Sequence, residues 1–165
     1  MNAEAALSRH HAELARAGAA AMQRHYQETI EVCSDLLTSG IYDDVAAADP
    51  ESARRCRAEA RLIMATAMHY NEAHYEDIVR VLTAALDSPA EIQKDALFTL
   101  AVLHVSFDRE DEAHASMEKC IALIEILRKK ETGDFEELNA LEKEAQHFLK
   151  QLGHSPRARK AYRNH

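Results

Sequence analysis

Two stretches of the chain repeat the same order of apolar and polar positions. Residues 59–92 and 94–127 each begin with an apolar run, pass a short polar turn, and continue with a second apolar-striped segment that opens on an acidic pair. The apolar spacing is that of amphipathic helices. Matched positions such as Ile78 and Ala113 lie 35 residues apart. The pattern therefore predicts two copies of an antiparallel helical hairpin.

A weaker copy precedes these two units, and one more helical segment follows them. Residues 10–39 carry apolar residues at similar positions, but extra chain separates them from the next unit. The excess coincides with residues 40–55, where Gly40 can end a helix and Pro50 can begin one. We predict that 40–55 is an enlarged connection between repeats. Residues 134–152 have apolar positions at helical spacing and predict a helix that caps the last apolar face.

A period near 34 residues in helical hairpins resembles the tetratricopeptide repeat (TPR). In the third unit, Leu97, Leu100, Ala101 and His104 occupy the positions that define the first helix of the family pattern. Ala113, Met117 and Cys120 occupy the small, large and small positions of its second helix. The sequence departs from the family pattern because it has no tryptophan and has histidine in place of the tyrosine. The resemblance implies an all-α fold of antiparallel helical hairpins, stacked as a short right-handed solenoid with a C-terminal capping helix. We expect one domain over residues 1–153 and a disordered basic tail at 154–165.

Composition supports helices and disfavours several partners. Four glycines, three prolines and no Asn-Gly or Asp-Gly hairpin signal predict that no sheet forms. The net charge is −8, and the tail at 154–165 carries four basic and no acidic residues, which leaves −12 on the body. We therefore expect the body to repel nucleic acid. The absence of cysteine pairs, of a signal peptide and of a long apolar run predicts a cytoplasmic protein that does not enter membranes.

The sequence predicts no enzyme. Asp111, Glu112, Ala113 and His114 spell a helicase box, but no glycine begins the GxxxxGK[ST] loop that a helicase needs for phosphate, and we expect these residues at the start of a helix. A cysteine nucleophile is also disfavoured, because all three cysteines fall at apolar helical positions.

No metal or cofactor is predicted either. Glu144 and His147 form half of a di-iron motif, and the sequence holds no second Glu-x-x-His. We expect His69 and His104 to take part in packing and the other histidines to be solvated. A histidine-based metal-binding protein remains the least favoured of the alternatives.

The family resemblance also implies where binding would occur, because the first helix of each TPR lines a concave groove. Projected onto this sequence, that groove is mostly apolar and is lined by Ile63, Ala67, Tyr70, Phe98, Val102 and Val105. Leu14, Ala21 and Met22 would extend it into the first unit. Leu14, Gly18 and Ile63 stand where some family members grip a terminal carboxylate, so such a clamp is not expected. We expect Tyr70 and Phe98 to be the main anchors.

These features favour a non-enzymatic protein–protein interaction module that binds a peptide or client segment, as an adaptor or a chaperone. Three repeats and a capping helix in a small acidic protein are similar in architecture to the translocator chaperones of type III secretion. The alternative is a scaffold that associates with copies of itself, since an exposed apolar patch serves either use. The sequence leaves the choice between monomer and homo-oligomer open.

Overall fold

The computed structural model describes residues 1–130 and 134–153, and over these residues the chain is all-α, as predicted. It contains helices and turns without strands in that part of the chain. The eight helices there are α1 (Ala3–Met22), α2 (Tyr26–Thr38), α3 (Ile41–Ala48), α4 (Pro50–Tyr70), α5 (Tyr75–Ala85), α6 (Ala90–Ser106), α7 (Glu110–Lys129) and α8 (Phe135–Leu152). The tail at 154–165 lies outside the described residues. None of the described helices is both long and apolar enough to cross a membrane.

Side-chain caps fix where several helices begin. The Asn2 side chain accepts a hydrogen bond from the Ala5 amide at the start of α1. Asp49 accepts bonds from the amides of Glu51 and Ser52 at the start of α4, and Pro50 occupies the first turn. Such caps satisfy amides that have no partner inside the helix. Proline at this position sacrifices no helical hydrogen bond, so Pro50 begins a helix as predicted.

Three turns between consecutive helices have the same backbone geometry. Arg24 between α1 and α2, Glu72 between α4 and α5, and Asp108 between α6 and α7 each adopt a left-handed conformation, with φ of 63°, 58° and 57°. At each turn the left-handed residue donates its amide to the carbonyl three positions earlier, and the next residue donates to the carbonyl five positions before it. This is the hydrogen-bond pattern with which helices commonly end. Residues 1–130 and 134–153 therefore contain three matching turns of this kind, each joining one helix to the next.

The helices group into two compact units, Met1–Thr99 and Leu100–His165. In the first unit α1 packs on α2, α2 on α4, and α4 on α5. One core cluster joins the first four helices and consists of Ala6, Leu36, Ile41, Tyr42, Val45, Ala53 and Cys56. A second cluster of buried Ala17, Val32 and Cys33 packs against Ile63 and Met64. The prediction of a single domain stays a prediction.

The segment at 40–55, predicted to be an enlarged connection between repeats, contains a short helix. Gly40 follows α2 with φ of 77°, a conformation that glycine tolerates and that ends the helix. The chain then forms α3, which packs against α1 and α4. Ile41, Tyr42 and Val45 are buried because their spacing places them on one face of this short helix. The segment is thus part of the core of the first unit.

In the second unit α7 packs against α8. Met117, Cys120 and Ile124 of α7 are buried, as are Leu138 and Ala145 of α8. Arg128 near the end of α7 donates to Asn139 at 2.9 Å and pairs with Glu142, both on α8. The pairing joins the polar edges of the two helices beside their apolar contact.

Candidate functional site

The first unit contains an open apolar cavity of about 460 Å³. Residues of α1, α2, α4 and the turn between α1 and α2 line it, namely Gly18, Ala21, Met22, Arg24, Tyr26, Leu62, Ile63, Thr66, Ala67 and Tyr70, together with Thr99 of α6. Its volume falls within the roughly 300 to 1,000 Å³ typical of ligand sites. Aliphatic and aromatic side chains dominate the wall, so the cavity suits an apolar group.

The cavity exists because α1 presents small residues at this level. A Cβ atom added at Gly18 would meet no heavy atom within 4 Å. Ala21 follows three residues later on the same helical face. Since neither residue fills the space in front of α4, the side chains of Ile63 and Leu62 border an opening instead of a packed contact.

Two stacked aromatic rings form part of the cavity wall. The rings of Tyr26 and Tyr70 have centroids 5.3 Å apart and an angle of 18° between their planes. The side-chain amide nitrogen of Asn71, which follows Tyr70 at the end of α4, donates a hydrogen bond of 3.2 Å to the side-chain oxygen of Gln27, which follows Tyr26 in α2. Tyr70 is 62% exposed and Met22 is 89% exposed. Large apolar side chains are therefore held at the opening while still facing solvent.

One basic side chain also lines this cavity. Arg24 is exposed and occupies the left-handed position of the first hairpin turn. Within residues 1–130 and 134–153 it forms no ion pair. A guanidinium next to an apolar wall favours a ligand that carries a carboxylate beside its apolar part.

The structure brings together half of the predicted groove residues. Ile63, Ala67 and Tyr70 line the cavity, with Ala67 buried in its wall. Among the described residues the lining includes neither Phe98, which is half-buried, nor Val102 and Val105, which are exposed on the part of α6 that belongs to the second unit. The groove as a whole stays a prediction.

Several lining residues were not predicted from the sequence. Tyr26 lies on a second helix of a hairpin and Arg24 in a turn, positions that the family pattern does not assign to a groove. Ala21 and Met22, projected from the first unit, do line the cavity. Leu14, projected beside them, packs instead against the core cluster around Tyr42.

A second group of chemically active side chains lies in the core of the same unit. His10 of α1 meets Cys56 and Glu59 of α4, and one nitrogen, sulfur or oxygen atom of each lies within 4.8 Å of the others. The His10 Nε2 atom is 3.1 Å from a Glu59 carboxylate oxygen. Its Nδ1 atom is 2.9 Å from the phenol oxygen of Tyr42 on α3. Both ring nitrogens of a fully buried histidine therefore face polar partners.

Electrostatics in this group favour a positive charge on His10. Burial is the largest influence and lowers the pKa of the imidazole, but hydrogen bonds and electrostatic interactions with Cys56 and Glu59 outweigh it and raise that pKa to about 9. Burial and the same acidic neighbours raise the pKa of the Tyr42 phenol well above its usual range. The phenol consequently stays neutral and serves His10 as a hydrogen-bond partner.

The sequence-based expectations for histidine and cysteine hold only in part. Cys33, Cys56 and Cys120 are buried thiols, as predicted. The expectation that His10 is solvated is wrong, because it has no exposed surface. No local pattern joins it to Cys56, 46 positions away. The spacing of Cys56 and Glu59, three positions apart on one helix, is the only signal of this group in the sequence.

The four letters of the helicase box occupy the place that the hairpin pattern predicts. Asp111 and Glu112 lie in the first turn of α7, and Ala113 has no exposed surface. Carboxylates there interact favourably with the positive end of the helix. The segment is thus a helix start with one buried small residue.

Comparisons with protein-family models, curated proteins and solved structures give no match to this chain. The TPR resemblance, and the groove that it implies, therefore stay predictions from the sequence.

Proposed function

We propose that this protein binds an apolar peptide segment of a partner protein in the cavity between α1, α2 and α4, and that it catalyses no reaction on it. The observation that carries the proposal is the open apolar cavity of about 460 Å³ with Tyr70 and Met22 exposed beside it. Apolar surface left open to water is stabilised when a partner covers it.

The two tyrosines are suited to contact a peptide. Tyr26 and Tyr70 are already stacked at 5.3 Å, so their rings lose little further freedom when a partner side chain packs on them. Aromatic residues also account for a large share of the binding energy at protein interfaces. A bulky apolar side chain of the partner would enter the cavity and contact Ile63 in its wall.

Arg24 adds a charge preference to this site. The guanidinium lines the cavity without an ion pair within the described part of the chain. A partner segment with Asp or Glu next to its apolar anchor would pair with this cation. The proposed occupant is therefore a short amphipathic segment that combines a bulky apolar residue with a neighbouring acid.

A substitution at Gly18 tests the site without removing any existing contact. In Gly18→Leu a side chain would project into the open cavity, whereas Gly18→Ala adds only a methyl group with no neighbour within 4 Å. We would select peptides from a displayed random library against the full chain and measure their Kd by fluorescence anisotropy. We expect the selected peptides to share an apolar anchor and an acid, and Gly18→Leu to bind them at least about tenfold more weakly than Gly18→Ala.

Two further variants separate the anchor from the charge. Tyr70→Ala should weaken binding by about 1 to 3 kcal/mol, and Tyr70→Phe should retain most of it, because the aromatic face is kept. Arg24→Gln should lower the affinity for peptides that carry Asp or Glu. It should not change the affinity for the same peptides with Asn or Gln at that position. Equal affinity for the wild type and Gly18→Leu, with unchanged circular dichroism, would show that peptides bind elsewhere.

Self-association is the competing outcome of the same design. Sedimentation of the wild type over a range of concentrations, alongside Gly18→Leu, measures it directly. If the wild type forms a dimer at high concentration and Gly18→Leu does not, the occupant of the cavity is a second copy of the chain and not a peptide of another protein. A monomer at all concentrations would oppose the scaffold alternative.

A further inference from the structure

His10, Cys56 and Glu59 form a group that shares no residue with the lining of the cavity. The group has no part in the proposed peptide binding. It combines a nitrogen, a sulfur and an oxygen ligand within 4.8 Å of one another. His10 and Cys56 are buried, while the Glu59 side chain is 28% exposed. Only one member of the group therefore reaches solvent.

We propose that His10, Cys56 and Glu59 bind one Zn²⁺ ion per chain, with Tyr42 orienting the imidazole. The ligands would be His10 Nε2, the Cys56 thiolate and a Glu59 carboxylate oxygen. The exposed edge of Glu59 provides the route by which the ion enters.

The observed separation of the nitrogen and oxygen ligand atoms suits a tetrahedral ion. With Zn–N and Zn–O bonds of roughly 2.0 to 2.1 Å, a tetrahedral angle places the nitrogen and oxygen about 3.3 Å apart. His10 Nε2 and the Glu59 oxygen are 3.1 Å apart. A shift of a few tenths of an ångström in the partly exposed Glu59 side chain would open this distance to the required value.

Tyr42 fixes which nitrogen of His10 is available to the ion. The phenol oxygen lies 2.9 Å from Nδ1 and can accept a hydrogen bond from the N–H group at this position. Because Nδ1 keeps its proton, Nε2, which faces Glu59, is the nitrogen that gives up its proton and offers its lone pair when the ion binds. A hydrogen bond to the second ring nitrogen is the usual support of a metal-bound histidine, because it fixes the tautomer and the ring orientation.

The kinds of ligand atom select the metal. Mg²⁺ and Ca²⁺ prefer oxygen ligands, so a buried thiolate and an imidazole disfavour both. Zinc accepts nitrogen, sulfur and oxygen in one tetrahedral site. Three protein ligands leave a fourth position, which water can occupy on the side of Glu59.

Cobalt and zinc binding to the full chain test the proposal. The protein is treated with a chelator, dialysed, and titrated with Zn²⁺ against a chromophoric competitor, and with Co²⁺ while the thiolate-to-cobalt charge-transfer absorption is followed. We expect one equivalent to bind, the charge-transfer band to appear, and Zn²⁺ to raise the Tm. The band distinguishes this site from surface histidines, which bind cobalt without a thiolate.

Matched variants identify the ligands. Cys56→Ala should abolish the charge-transfer band, and Glu59→Gln, which keeps an oxygen acceptor for His10, should reduce zinc affinity. Cys120→Ala and His114→Gln are controls of the same residue types outside the group, and both should bind as the wild type does. Tyr42→Phe should weaken zinc binding by about 10- to 100-fold at unchanged stoichiometry.

Two results would overturn the proposal. One is the absence of the charge-transfer band in the folded wild type, and the other is a band that persists in Cys56→Ala. Because Glu59→Gln replaces a partly exposed group with one of the same shape, its loss of zinc at unchanged circular dichroism cannot be ascribed to unfolding. Retention of full zinc affinity in Glu59→Gln would remove Glu59 from the ligand set.

Discussion

The side chains of His10 and Tyr42 are joined by a hydrogen bond of 2.9 Å between Nδ1 and the phenol oxygen, although they lie 32 positions apart. The bond connects α1 with α3, and both residues are almost entirely buried. A polar pair in such a place contributes to stability only while both partners are present, because removing either one leaves a buried polar atom of the other, such as Nδ1 of His10, without a hydrogen bond.

We therefore predict that Tyr42→Phe destabilises the metal-free protein by about 1 to 3 kcal/mol. The substitution keeps the ring in the core and removes only the hydroxyl that satisfies His10. Urea unfolding followed by circular dichroism measures the change in the free energy of unfolding. Tyr70→Phe is the control, since its ring is 62% exposed, and it should stay within about 0.5 kcal/mol of the wild type. If Tyr42→Phe leaves the free energy of unfolding unchanged, water takes the place of the hydroxyl as the partner of His10.

Two glycines should respond in opposite directions to the same substitution. Gly18→Ala should stabilise the fold by about 0.5 to 1 kcal/mol, because glycine is unfavourable inside a helix and the added Cβ meets no atom within 4 Å. Gly40→Ala should destabilise it by about 1 to 2 kcal/mol, because φ at Gly40 is 77°. Urea unfolding of both variants checks the prediction, and a shared sign would contradict it.

Replacing a left-handed turn residue with glycine should stabilise the folded protein. Glu72 has φ of 58°, and its side chain is exposed. Glu72→Gly should therefore raise the free energy of unfolding by about 1 kcal/mol, since glycine adopts this conformation without the Cβ penalty. Asn71→Gly is the neighbouring control: φ at Asn71 is −91°, so glycine there should bring no gain. Thermal unfolding distinguishes the two, and equal Tm changes would rule out the backbone explanation.

The buried His104 should make the protein more sensitive to acid. Burial lowers the pKa of His104 below 6.5; Glu112 opposes this shift and Arg109 adds to it. In the unfolded chain the imidazole has a pKa near 6.5, so below that pH the unfolded state binds the extra proton and stability falls. We expect the contribution of His104 to the free energy of unfolding to decline as the pH drops from about 7 through 6.5 and below.

The comparison with His104→Gln isolates this contribution from other titrating groups. The variant lacks the imidazole, so its stability relative to the wild type should improve steadily between pH 7 and pH 5. Urea unfolding at several pH values measures the difference. A difference that does not change with pH would show that His104 has the same pKa in the folded and unfolded chain.

Much of the local structure followed from the sequence because helix formation depends on neighbours three and four positions apart. The all-α prediction is confirmed. Gly40 and Pro50 end and begin helices where their backbone preferences indicated. Leu97, at a predicted core position of its repeat unit, is buried. None of these outcomes required knowing which helices meet.

The tertiary structure alone decided which helix faces pack together, and with them both candidate sites. Residues 41–45 looked like part of a connection, yet they belong to a short helix that places Tyr42 in the core. His10 acquires its partners only when α1 packs beside α3 and α4. The cavity likewise arises where Gly18 of α1 is brought opposite Ile63 of α4. Helical periodicity specifies an apolar face, but the depth and the neighbours of each residue depend on distant parts of the chain.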